Sequence, residues 1–235
     1  MTLERWTVRT LERRQALVGL LLLAPVPTLG VWAAMVASPG PFGHGVFLIA
    51  KLWLLVFPAA WYLLVEKGKL SCSPPLRGGN LAGVLSGVVL AASIVLGAWL
   101  ADVQHMDLAP LRAAASEMDL TSPAAYLAGA AAWTLVNSLI EEYVYRWFVL
   151  RQCEVLLPSP VAVIASAAVF TIHHVIALNQ YLEPAFTVLT SAGVFVGGIV
   201  WAVLYHRYRS IWPGWISHVL ADIAVFGLGW WLLFG

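Results

Sequence analysis

Seven stretches of the chain run almost without interruption in apolar residues: roughly 15–37, 44–65, 80–101, 123–150, 160–180, 185–206 and 211–234. A helix needs about 20 such residues to cross the hydrocarbon of a bilayer. The pattern therefore predicts an all-α fold, a polytopic membrane bundle of about seven transmembrane helices. Pro25 and Pro27 predict a kink in the first helix, because proline removes a backbone donor and clashes with the preceding turn. The polar connection 102–122 predicts a short interfacial helix around Pro110–Met118, which leaves the count between seven and eight spans. A connection rich in Pro and Gly, Ser71–Gly79, divides an N-terminal pair of helices (1–79) from a helical core (80–235). No internal repeat is evident, which disfavours transporters built from inverted repeats.

Three polar clusters interrupt these apolar runs: Glu141-Glu142-Tyr143-Val144-Tyr145-Arg146, His173-His174 after Phe170, and His218 with Asp222. An ionisable group at bilayer depth costs roughly 2.5–3.5 kcal/mol on insertion scales, so such residues usually face the bundle interior and serve a function. The clusters place an active site inside the bundle. At helical spacing Glu142 and Arg146 can pair, and Asn137 lies one turn before Glu141 and can hold its carboxylate. Glu141 points about 100° away from Glu142, toward a different neighbour. Adjacent histidines diverge in the same way, so His174 is expected in the site and His173 is left as a core residue. His218 and Asp222, one turn apart, suit a donor pair or a metal-binding pair. The structural alternatives are a snorkelling helix end at Arg146 and Arg151, and an interhelical polar clasp at His218 and Asp222. Gly79, Gly83 and Gly87, and likewise Gly193 and Gly197, are spaced for close helix packing. Lys51 is read as snorkelling or paired, and His206, Arg207 and Arg209 as a solvated helix end.

Composition agrees with a membrane protein: of 235 residues, 61% are hydrophobic and 11% charged, against about 25% charged in soluble domains. A net charge of +1 gives no electrostatic case for nucleic acid. Orientation follows the basic residues. Arg5, Arg9, Arg13, Arg14, Lys67, Lys69, Arg77, Arg151, Arg207 and Arg209 fall on one side, and only Arg112 on the other. The N-terminus is thus expected in the cytoplasm, and the chain in a bacterial-type inner membrane. The basic head resembles the n-region of a signal peptide, but the apolar run behind it is too long, so an uncleaved first helix is expected. Cys72 and Cys153 are too few for a disulfide framework and fall at the cytoplasmic face, where thiols stay reduced.

Carboxylates beside histidines are the parts needed to activate water and stabilise an oxyanion. Glu-Glu-x-x-x-Arg, Phe-x-x-x-His and His-x-x-x-Asp, in this order on three spans, resemble the CPBP (CAAX protease and bacteriocin-processing, or Abi) family. That family includes the type II CAAX prenyl endopeptidases, and the resemblance covers about residues 120–234. It implies an intramembrane endopeptidase acting on a membrane-bound protein or peptide. Glu141 would be the general base, His174 would bind and polarise the water, and Glu142 would pair with Arg146. His218 and Asp222 would stabilise the oxyanion or orient the substrate, with Asn137 and Phe170 in support. No cofactor is expected, since the first motif lacks the His-x-x-x-His arrangement of zincins. The alternative is a divalent metal such as zinc on Glu141, His174 and His218. The other functional readings are a transporter or channel using these groups as a proton or ion path, and a membrane adaptor.

Two positions depart from the family pattern. Asp222 stands where Asn is usual, and Trp147 stands where a small residue is usual, which would reshape a substrate groove. Depth is a further difficulty. Glu141 and His218 count out at roughly 10–14 Å from their helix ends, but His174 at about 20 Å.

Overall fold

The computed structural model describes residues 3–69 and 78–235, with side chains from residue 11 onward. Arg5, Arg9, Arg77, Cys72 and most of the Ser71–Gly79 connection lie outside the described residues or side chains. The described residues form helices and no strand. Among the described residues, seven helices are long and apolar enough to cross a membrane: Leu11–Ala37, Pro41–Leu64, Asn80–Leu100, Pro123–Leu156, Ser159–Leu178, Pro184–Tyr208 and Trp212–Phe234. They are numbered here as the first to seventh spans. The chain is an integral, multi-pass helical bundle. The expected short helix is present as Ala109–Glu117, opened by Pro110 in its first turn. In the first span the helix breaks at Ala24 and restarts at Pro25, so both prolines sit where few backbone donors are lost.

The third and seventh spans pack along their length. A Cβ on Gly83 would lie 2.5 Å from the Pro213 carbonyl oxygen, and one on Gly87 2.9 Å from Ser217 Cα, so the backbones touch as that spacing suggests. Gly193 faces open space, and Gly197 lies under Trp201 of its own helix. The fourth span forms the centre of the bundle. Its Val144, Tyr145, Phe148, Val149 and Leu150 are buried and pack with Leu54, Phe57, Phe170 and Trp201 from other spans. The first span packs on the fifth and on the end of the fourth, so the N-terminal helices adjoin the spans that carry the polar clusters.

The fourth span is longer than its apolar run, reaching Leu156 rather than ending near residue 150. The extension carries polar residues that find partners on neighbouring elements. Glu66 accepts from Arg151 Nη2 at 2.8 Å and from Gln152 Nε2 at 2.6 Å. Glu154 pairs with His206 and Arg209, each at 2.5 Å, so these two residues clasp the fourth span rather than standing solvated. This length removes the difference in depth between Glu141 and His174. Glu141 lies 15 residues before Leu156 and His174 lies 15 residues after Ser159, which sets both about 22 Å from the intervening turn.

The fourth span is not α-helical throughout. It widens to π-helix over Trp133–Asn137 and again over Glu142–Leu150, on either side of Ser138–Glu141. Such widenings within α-helices occur frequently at functional sites. The second one contains Tyr145 and Arg146, both of which are buried.

Candidate active site

The fourth, fifth and seventh spans bring the three clusters together around His218, which is 4% exposed. Its Nδ1 lies 3.2 Å from Glu142 Oε1, and its Nε2 lies 3.7 Å from both Glu141 Oε2 and Asp222 Oδ1. Glu141 and Glu142 do diverge from the helix, as their spacing predicts, but they then converge on opposite nitrogens of one imidazole. The ring itself is stacked on Trp201, with centroids 3.7 Å apart and planes 14° apart. Trp201 is tied in turn to Ser217 Oγ through its indole N–H at 3.1 Å.

Glu142 and Arg146 form the expected pair, Oε1 to Nε at 3.5 Å, with both side chains fully buried. Among the described residues the guanidinium has no hydrogen-bond partner; aromatic rings surround it, with Phe170 at 4.8 Å, Trp201 at 5.5 Å and Tyr145 at 6.0 Å from its carbon. Cation–π contacts of this kind strengthen when desolvated. On its far side Glu142 meets backbone: a Cβ added to Gly214 would collide with Oε2. Gly214→Ala is therefore expected to push Glu142 off His218. The cost should be the roughly 1–3 kcal/mol of an overpacked core, with a matching loss of turnover; thermal unfolding in detergent and a rate assay check both.

His174 Nδ1 lies 3.0 Å from the Phe170 carbonyl. A carbonyl only accepts, so Nδ1 carries the proton and Nε2 is left with a free lone pair. Its neighbour His173 is also part of the cluster. The two rings are 4.1 Å apart, and His173 Nδ1 meets Tyr145 Oη at 3.2 Å. The two rings thus lie side by side instead of turning to separate neighbours. Among the described residues, the metal-ligating atoms that converge belong to Glu141, His173 and His174, all within 4.8 Å; His218 is not in that set.

Glu141 is buried, and Asn137 Nδ2 donates to its Oε1 at 2.8 Å, as the one-turn spacing suggests. The same carboxylate, with His173, Tyr145 and Lys51, lines a narrow, mostly apolar cleft between the first, second, fourth and fifth spans. Lys51 Nζ donates to Asn137 Oδ1 at 2.6 Å.

Trp147 does not reach the cluster. It stacks on Tyr143 and meets Tyr62 edge-on, each with centroids 5.2 Å apart, and so packs the fourth span on the second. Sequence reasoning had no means to find Trp201, one of 12 tryptophans. Lys51 did leave a signal, as the one Asp, Glu, Lys or Arg in Pro41–Leu64.

Residues 123–224 match the family model described as Type II CAAX prenyl endopeptidase Rce1-like. No curated protein and no solved structure matches the chain. The matched segment runs from the start of the fourth span into the seventh and contains all three polar clusters. Over these spans the chain is similar to the Rce1-like family of type II CAAX prenyl endopeptidases, within the CPBP group, and the match supports a CAAX-type intramembrane endopeptidase.

Proposed function

We propose that the protein hydrolyses a peptide bond near the end of a membrane-associated or lipid-anchored protein, with Glu141 as general base. The observation that carries this reading is the setting of Glu141. One carboxylate oxygen is held by Asn137, the other faces His218, and the group borders a cleft at mid-membrane depth.

Water held by the free lone pair of His174 gives a proton to Glu141, and its oxygen attacks the scissile carbonyl carbon. His218 donates from Nε2 to the developing oxyanion, while Glu142 at Nδ1 and Trp201 beneath fix the ring. Asp222, 3.7 Å from the same Nε2, helps to orient the substrate carbonyl beside His218. As the tetrahedral adduct collapses, the C–N bond breaks and Glu141 passes its proton to the leaving amine. The basic end formed by Arg13, Arg151 and Arg209 faces the cytoplasm, with the N-terminus on that side and the chain in a bacterial-type inner membrane.

By donor type and distance, Glu141, His173 and His174 suit a divalent ion such as zinc, which when bound would supply a water of lowered pKa. The ammonium of Lys51, on the same cleft, is a like charge beside that set, and supports the reading without metal. Purified active protein is expected to hold well under one zinc per chain and to keep its rate in chelator. Stoichiometric zinc that tracks with rate, and is lost in His174→Ala, would move water activation to the metal.

The activity is tested by mass spectrometry of protein termini in membranes expressing wild type or Glu141→Gln. New termini that appear only with wild type are expected and would name the substrates. Identical terminal profiles would overturn the proposal.

A further inference from the structure

We infer that Lys51, on the second span and outside the matched segment 123–224, is a positioning residue for Glu141. The inference rests on the reading of Glu141 as base. Lys51 lies 10 residues after Pro41 and 13 before Leu64, about 15 Å from the nearer helix end. That depth is beyond what a lysine chain can snorkel across. Its head is instead turned inward, between the rings of Phe47 at 5.4 Å and Trp133 at 5.9 Å, and onto Asn137 Oδ1 at 2.6 Å.

An ammonium has three donors and no acceptor. Lys51 therefore requires the oxygen of the Asn137 amide to face it, and the amide NH₂ must face Glu141, where it donates to Oε1 at 2.8 Å. A flipped amide would set its oxygen against a carboxylate and its NH₂ against a cation. The relay thus does two things at once. It occupies Oε1, and it leaves Oε2, the oxygen 3.7 Å from His218 Nε2, to take the proton from water.

Charge supports the same assignment. Glu142 has Arg146, and Lys51 is the cation that faces Glu141 across one amide. The first span holds the lysine in place from behind: a Cβ on Gly30 would lie 2.7 Å from that of Ala50, the residue before Lys51. On this account the N-terminal spans complete the site instead of only anchoring it.

The test uses full-length protein in liposomes and a peptide spanning one of the cleavage sites lost in Glu141→Gln. Lys51→Met is expected to lower kcat by about 10²-fold, the scale of an ångström of misplacement at a reacting group, with KM unchanged. Lys51→Arg, which can donate to the same oxygen, should restore most of the rate. Asn137→Ala should match Lys51→Met, and the double variant should be no slower than either, because both act through one hydrogen-bond chain. If Lys51→Met does not accumulate, Lys51→Gln replaces it; its amide is too short for the relay, and its kcat must fall as well. A wild-type kcat in Lys51→Met, or losses that multiply in the double variant, would overturn the inference while an inactive Glu141→Gln left the base in place. An active Glu141→Gln, or no Glu141-dependent termini in the membranes, would instead remove the reading beneath it.

Discussion

Glu141→Gln should be folded, inserted and at least about 10²–10⁴-fold slower than wild type, the loss typical of removing a general base. The substitution keeps the shape of the side chain and can keep the contact with Asn137, which is where the structural role of Glu141 resides. What it removes is the ability to accept a proton at the atom facing His218. Rates on a cleaved peptide, set beside the thermal unfolding of the same preparation, separate the two. A variant that melts like wild type and cleaves like wild type would exclude Glu141 as the base.

The second large effect concerns the pair behind the site. Removing one member of a buried ion pair leaves an uncompensated charge and costs about 3–5 kcal/mol. Glu142 and Arg146 are both fully buried, so Glu142→Ala and Arg146→Ala should each lower thermal stability as well as rate. Arg146→Lys should not rescue. The guanidinium is held by three aromatic faces rather than by hydrogen bonds, and a compact ammonium cannot spread over them in the same way. Loss of Glu142 has a further consequence, since Nδ1 of His218 then has no carboxylate to fix the ring. Unfolding curves of both alanine variants that overlay wild type would contradict this account of the pair.

The parts of the site legible in the sequence were those whose chemistry clashes with their surroundings. Glu141, Glu142, Arg146, His174, His218 and Asp222 stand out because apolar spans do not carry such groups without cause. Asn137 and Phe170 follow from helical spacing, and the geometry places both where spacing suggests, against Glu141 and beneath His174. Other features depend on contacts between segments remote in sequence. The fourth span's extra turns were hidden because Arg151, Gln152 and Glu154 look like the end of an apolar run; only their partners Glu66, His206 and Arg209 make them part of a helix in the bundle. The π-helical widening leaves no mark in residue type, since it changes hydrogen-bond register rather than composition.

His173 shows the limit of angular reasoning. Two neighbours on a helix diverge at the backbone, yet rings of this size can both border a site placed between them. Lys51 shows a different limit. A lone cation in an apolar span has several meanings, and only the contact with Asn137 selects one.

The central claim is that water, deprotonated by Glu141, attacks the peptide carbonyl directly. It is tested most directly by one turnover in ¹⁸O-water, with enzyme in excess over a cleaved peptide, followed by mass spectrometry of the product carrying the new C-terminus. The account predicts one ¹⁸O atom in that new carboxylate and none in Glu141. Product without ¹⁸O, and the label found instead in the Glu141 carboxylate, would mean that Glu141 attacks as a nucleophile and would contradict it.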